Sequence, residues 1–288
     1  MKFSSKVLKC GLSPMRKFHP YAVAAEAKGR KIYHLNIGQP DIETPKAYFD
    51  AVKHFDLPVL AYAPSPGIPE LIEAIRKYYA DLGMHFDAGD ILITNGGSEA
   101  LQITMNCILD DGDEILIPEP FYPNYYTMAY TCGARIGCMI SRNKELMAQA
   151  MKYAQCRLSV PTLDQVAAAA LYTVGPDYFA AVREEYKRRR DTVVNKLHEI
   201  PGVVCECPRG AFYIMAALPV DDADAFQKWL LEEFEDNGDT VMFAPGEPFY
   251  GTPGKGKNEI RIAYVLKQAD LERAMDLLAK GIAAYNAR

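Results

Sequence analysis

The sequence predicts an α/β protein with a smaller α+β module after it in the chain. Three observations carry this. A strand–loop–helix–strand order runs from Ile91 to Pro118, which is the βαβ unit of a parallel sheet. Beyond Pro176 the pattern changes to mixed strands and helices. Of the 288 residues, 49% are hydrophobic, enough to bury a core and offset the entropy of ordering the chain.

Composition narrows the classes of function. The formal net charge of −5 argues against nucleic acid as the main partner, since phosphate binding wants a basic face. The longest uncharged apolar stretches, such as residues 166–172, fall far short of the ~20 residues a helix needs to cross a bilayer, so no membrane partner is expected. Lysines break every short apolar run among residues 1–10, which leaves no signal-peptide core. The 20 Gly and 19 Pro are scattered without a period and exclude a collagenous chain. Seven cysteines are spread along the sequence with no C-x-x-C pair, and the five histidines show no metal-ligand spacing. Reduced thiols, no metal and a cytoplasmic setting are the expectation.

In order, residues 31–35 read as a short strand after an irregular basic approach. Turn-rich loops follow at 36–45 and 62–67. A helix is predicted from Pro69, with Leu71, Ile72, Ile75, Tyr78, Tyr79 and Leu82 on one stripe and Pro69 suited to its first turn. Residues 91–94 form a strand, 98–109 a helix and 114–118 a second strand. Residues 135–140 read as a strand and 143–155 as a helix. The second module holds a long charged helix (178–199), strands at 203–207 and 211–217, a helix at 223–234, strands at 240–244 and 259–265, and a terminal helix at 270–285.

The loop Thr94-Asn95-Gly96-Gly97-Ser98 is the first feature with chemistry. A strand runs into two glycines and a helix starts at Ser98. The N–H groups of that first turn, the helix dipole and the Ser98 hydroxyl suit an anion. On the loop alone, a plain βα turn is the better reading.

Seven motifs in register change that. They are Leu35-Asn36-Ile37-Gly38-Gln39-Pro40-Asp41, Tyr62-Ala63-Pro64-Ser65-Pro66-Gly67, Gly96-Gly97-Ser98, Pro120-Phe121-Tyr122-Pro123-Asn124-Tyr125, Cys132-Gly133-Ala134-Arg135-Ile136-Gly137, Pro208-Arg209-Gly210-Ala211-Phe212-Tyr213 and Asn258-Glu259-Ile260-Arg261-Ile262-Ala263. Together they resemble the class I/II aminotransferases of pyridoxal phosphate fold type I, most of all a bacterial branch of aspartate aminotransferases.

The resemblance implies pyridoxal 5'-phosphate as cofactor, amino acids and 2-oxo acids as substrates, and a homodimer. It implies that Gly97 and Ser98 hold the cofactor phosphate, that Arg135 pairs with it, that Tyr122 stacks on the pyridine ring and that Tyr62 reaches the neighbouring subunit's phosphate. Arg261 is implied to grip the substrate α-carboxylate, under a loop that contains Gly38. It also implies three regions: an N-terminal arm and substrate loop (1–44), a large cofactor-binding domain (45–176) and a small α+β domain (177–288).

The chain departs from this pattern at the centre of the chemistry. The family lysine that holds the cofactor as a Schiff base and moves the α-proton stands eight residues before the arginine matched by Arg135. That position is Thr127, and no lysine lies between Lys77 and Lys144. The Asn-Pro-x-Asn-Pro-Thr-Gly motif, the aspartate on the ring nitrogen and the tyrosine on the cofactor oxygen are absent too. Roughly a hundred residues are missing, with a junction near 129–131. No catalytic residue is therefore assigned, and little or no turnover is expected. The missing stretch would supply four of the family's seven sheet strands. The strand at Ile115 would lose both neighbours, while those at Ile91 and Arg135 would stay adjacent, so a truncated sheet with exposed apolar surface and marginal stability is expected.

Three smaller features complete the reading. The basic run 187–190 is expected on a solvated helix face balanced by Glu184 and Glu185. Cys205 and Cys207 are expected buried or half-buried in a strand. The acidic stretch 220–224 is expected to cap the following helix rather than hold a metal.

Overall fold

A computed structural model describes residues 2–3, 8, 13, 16–56, 58–59, 61–110, 113–125 and 137–288. In chain order, the elements begin with α1 (His19–Ala27), β1 (Lys31–His34), α2 (Lys46–Lys53), α3 (Pro69–Asp81), β2 (Ile91–Thr94) and α4 (Gly96–Ile108). They continue with β3 (Gly137–Ile140), α5 (Lys144–Cys156), α6 (Thr162–Leu171), α7 (Pro176–His198), β4 (Val204–Cys205) and β5 (Tyr213–Ala217). The last are α8 (Ala223–Glu232), β6 (Asp239–Met242), β7 (Ala244–Pro245), β8 (Glu259–Ala263) and α9 (Gln268–Asn286). Two compact units result. The first is built mainly from Glu43–Leu116 and Tyr125–Pro176, the second from Gly11–Ile42, Ile117–Asn124 and Asp177–Arg288.

In the first unit β2 and β3 pair antiparallel, with Ile91 opposite Ile140 and Leu92 opposite Met139. All four residues of β2 are buried, as a strand covered on both faces requires. Ile91 and Ile93 face one apolar cluster with Leu71, Ile72, Ile75 and Val160. Leu92 and Met139 face another with Ile103, Met147 and Ala150. α3 starts at Pro69 as predicted and buries Leu71, Ile72 and Ile75. Tyr78 and Leu82, expected on the same stripe, are 50% and 57% exposed.

The parallel βαβ unit does not form. Residues 114–118 are not a strand, and Leu116 is 92% exposed. A strand with no neighbour has no backbone partners to gain, so this segment stays irregular. The expected adjacency of the strand at Ile91 with the one ending at Ile140 is present, over residues 137–140.

The second unit holds an antiparallel sheet in the order β4-β5-β8-β7 and a parallel pair β1-β6. Leu35 joins the two: its N–H donates to the carbonyl of Met242 at 2.7 Å and its carbonyl accepts from the N–H of Ala263 at 2.8 Å. Ile214, Ile260, Ile262, Phe226, Val241 and Leu277 form the core between these strands, α8 and α9. Asp222 caps α8 by accepting from the Ala225 N–H at 3.0 Å, as the acidic stretch predicts.

Two expectations are corrected here. Arg189, expected in solvent, is 4% exposed because it pairs with Asp41 and Glu185, each at 2.7 Å. Cys207 is exposed, since β4 ends at Cys205. Helices α1, α2 and α6 have no counterpart in the sequence reading.

Candidate functional site

The carboxylate-binding residues predicted from the sequence meet in the second unit. Arg261 lies in the middle of β8, opposite Met215 of β5 and Ala244 of β7, and is buried at 8% exposure. Its guanidinium sits 4.2 Å from the centre of the Tyr213 ring and 4.9 Å from that of Phe249. The Tyr213 position follows from register: Tyr213 pairs with Ala263, so it is the diagonal neighbour of Arg261 on one face. Nη2 of Arg261 donates to the Asn36 carbonyl at 2.9 Å, which ties the arginine to the loop that carries Gly38. Burial lowers the proton affinity of the guanidinium, and the nearby Tyr213 and Tyr122 hydroxyls act in the opposite direction. Arginine keeps its charge at neutral pH regardless. A fixed, largely dry guanidinium flanked by two rings is suited to a carboxylate, which it meets with two parallel hydrogen bonds.

Gly38 lies against this arrangement. A Cβ at position 38 would stand 2.0 Å from the Tyr213 hydroxyl and 2.6 Å from the Phe212 ring. Only glycine lets the loop approach so closely.

Tyr122 reaches the same unit through the segment Ile117–Asn124. Glu119 anchors that segment: its carboxylate accepts from the Gly251 N–H at 2.6 Å, the Thr252 N–H at 2.7 Å and the Thr252 hydroxyl at 2.9 Å. The Phe121 N–H donates to the Phe249 carbonyl at 2.8 Å.

The remaining predicted residues belong to the first unit. Gly97 is exposed and Ser98 half-buried at the start of α4. Open space surrounds Gly97, where a Cβ would meet nothing within 4 Å. The Glu99 carboxylate accepts from the N–H of Asn95, the residue just before the helix, at 2.7 Å. Tyr62 is 81% exposed, in a loop held to β2 by the Ile93 N–H, which donates to the Pro66 carbonyl at 2.8 Å. Gly67 has φ +125°, and its N–H donates to the Pro64 carbonyl at 2.9 Å. Arg135, Thr127 and the 129–131 junction lie outside the described residues. Tyr213 and Asn36 lie inside two of the seven motifs. Nothing in the local sequence marked Phe249 or Glu119.

A family model described as aminotransferase class I and II matches residues 30–135 and 129–278. The chain belongs to that family. The two matched stretches overlap at 129–135, a range that includes the expected junction at 129–131. A probable aspartate aminotransferase of Methanocaldococcus jannaschii is 40% identical over 97 residues, 33% of this chain and 26% of that one. The aspartate aminotransferase of Streptomyces avermitilis is 25% identical, with 90% of this chain and 91% of that one covered. That match is 381 residues long although this chain has 288, so a long gap on this chain's side is part of it.

Among solved structures, a Thermus thermophilus aspartate aminotransferase mutant superposes with a TM-score of 0.85 at 19% identity, covering 98% of this chain and 100% of that one. An alanine aminotransferase from Pyrococcus furiosus gives 0.85 at 22% identity, with the same coverage. The fold is therefore fold type I. The family's cofactor is pyridoxal 5'-phosphate. The residues present do not fit that group as the family holds it. Residues 78–143 contain no lysine to bond its aldehyde.

Among the described residues, no cluster of His, Cys, Asp or Glu suits a metal. No described helix is long and apolar enough to cross a membrane. The described cysteines form no disulfides.

Proposed function

We propose that this chain is a non-transaminating member of the aminotransferase family that retains the carboxylate-binding half of the site. The observation that carries the reading is the lysine-free stretch between Lys77 and Lys144, which includes Thr127 at the family's Schiff-base position. No other side chain in that stretch can form an imine with an aldehyde and then carry the α-proton on the freed amine. The buried Arg261, with Tyr213, Phe249 and Gly38 around it, supports binding of amino acid or 2-oxo acid carboxylates. The relatives' names favour aspartate as the ancestral substrate. The exposed Tyr62 supports a homodimer in which it serves the neighbouring site, and the scattered thiols support a cytoplasmic protein.

The test is chemical. Purified protein is incubated with pyridoxal phosphate, reduced with borohydride and mapped by mass spectrometry, with transaminase activity assayed in parallel. Scattered or no labelling without turnover is expected. A single labelled lysine together with aspartate transamination would overturn the reading.

A second reading, a defective product of a truncated gene, draws on the 92% exposure of Leu116. A cooperative melt of the purified chain favours the binding protein over it.

A further inference from the structure

The half-buried Glu119 carboxylate takes three donors from one turn of the second unit. These are the Gly251 N–H at 2.6 Å, the Thr252 N–H at 2.7 Å and the Thr252 hydroxyl at 2.9 Å. Lys255 Nζ adds a cation at 4.0 Å. Two residues further on, the Phe121 N–H donates to the Phe249 carbonyl at 2.8 Å. Residues 119–121 are thus clipped to residues 249–252 at both ends, and Phe249 is part of the clip.

This clip borders the carboxylate site. Phe249 ends the short helical turn Glu247–Phe249, which follows β7, the strand that pairs with β8 at Arg261. Its ring lies 4.9 Å from the guanidinium and is 4% exposed. Tyr122 comes directly after Phe121, and Asn124 Nδ2 donates to its hydroxyl at 2.9 Å. A carboxylate suits position 119 because it only accepts, and all three partners donate. Bonds from backbone N–H groups to a charged acceptor are among the stronger ones. Without that carboxylate, the Gly251 and Thr252 N–H groups turn to solvent and the clip keeps the Phe121 bond at one end. The wall beside Arg261 must then be ordered when a ligand arrives, and that ordering costs affinity.

We propose that Glu119 is a positioning residue for the carboxylate site. By clipping 119–121 to 249–252, it fixes Phe249 and Tyr122 around Arg261 before a ligand binds. This rests on the reading of Arg261 as the group that binds amino acid or 2-oxo acid carboxylates.

Maleate binding to the full chain, measured by titration calorimetry, tests it. Glu119→Ala removes the clip and is expected to weaken binding at least fivefold. Glu119→Gln keeps an oxygen for both N–H groups and is expected to stay within twofold of the parent. Leu231→Ala destabilises the same unit from a separate apolar cluster with Phe18, Ala22 and Ile32. It is expected to bind maleate within twofold of the parent, which separates positioning from a general loss of stability. Arg261→Gln is expected to abolish binding. A ligand that favours the clipped state must also protect it. Saturating maleate is therefore expected to slow hydrogen exchange of the parent at 119–124 and 249–252 at least threefold.

Binding by Glu119→Ala within twofold of the parent overturns the proposal and leaves the Arg261 reading intact. So does an equal loss in Leu231→Ala, a Glu119→Gln protein no better than Glu119→Ala, or unchanged exchange in the maleate-bound parent. A parent that binds no maleate, or an Arg261→Gln protein that binds it equally well, overturns the Arg261 reading and the proposal together. If Glu119→Ala does not fold, the exchange of the parent decides.

Discussion

The Tyr213 hydroxyl stands 2.0 Å from the point where a side chain at position 38 would begin. Tyr213 is also the ring over which Arg261 lies. Gly38→Ala must therefore push Tyr213 off the arginine or lift the loop. Overpacking of this kind costs about 1–3 kcal/mol. Urea denaturation is expected to show that loss, and maleate binding at Arg261 is expected to weaken at least tenfold. Adding Tyr213→Phe removes the nearest clash and is expected to recover part of the stability. A Gly38→Ala protein as stable as the parent would show that the loop is not pressed against β5.

Two buried glutamines serve as backbone partners. Gln227 on α8 is fully buried, accepting from the Phe243 N–H at 2.6 Å and donating to the Val241 carbonyl at 3.3 Å. Gln165 does the same in the first unit, accepting from the Ile68 N–H and donating to the Val160 carbonyl, each at 2.8 Å. Replacement by leucine keeps the volume and strands one N–H and one carbonyl. Each of Gln227→Leu and Gln165→Leu is expected to cost about 1–3 kcal/mol or more, read as a lower urea midpoint. A neutral effect would mean that water reaches these groups.

The helices with caps are legible in the sequence, whereas the burial of Arg261 and Arg189 is not. Asn143 and Asp222 sit one residue before α5 and α8, and both accept from the helix as their residue type favours. α1 was invisible because it buries only Ala22 and Ala25, which make no apolar stripe. α6 was hidden for the opposite reason, since its apolar residues run together and show no period. The strand expected over residues 114–118 has the right composition, and composition does not supply a neighbour. At the site, the motif around Arg261 marked the arginine. Its two rings depend on the pairing of Tyr213 with Ala263 and on the fold of the short helical turn Glu247–Phe249, and no local sequence rule gives either, which is why nothing marks Phe249.

Asp90 predicts how the first unit responds to acid. Its side chain accepts a hydrogen bond from Lys144 and another, at 2.9 Å, from the Asp87 N–H. These partners hold its carboxyl below the ordinary value near 3.8, with Lys144 contributing most. A depressed carboxyl stabilises the fold above its unfolded value, and that contribution is lost as pH falls through the folded one. The melting temperature is therefore expected to fall below about pH 4. Asp90→Asn should melt lower at neutral pH and show a flatter acid limb. Parallel curves for the two proteins between pH 2.5 and 6 would rule out this carboxyl as a contributor.

The two units differ in sheet construction, and this predicts unequal opening. Among the described residues, the first unit's sheet is the pair β2–β3, whereas the second has four strands in one sheet and Leu35 bonded to both of its sheets. A two-stranded sheet relies on the helices against it for protection. Hydrogen exchange followed by mass spectrometry is expected to show β2 and β3 exchanging well before β5 and β8. Exchange of both units at one common rate would mean that they open together.

Leu116 bears on how the chain behaves in concentrated solution. At 92% exposure it lies beside Ile115, itself 45% exposed, in a stretch whose sequence favours a strand that the fold does not pair. Such a segment offers apolar side chains and backbone groups to a neighbouring molecule. Leu116→Lys places a charge on it at a position that buries almost nothing. The variant is therefore expected to melt at the parent's temperature while remaining monodisperse to a higher concentration by light scattering. A drop in melting temperature would instead show that Leu116 is covered in the folded protein.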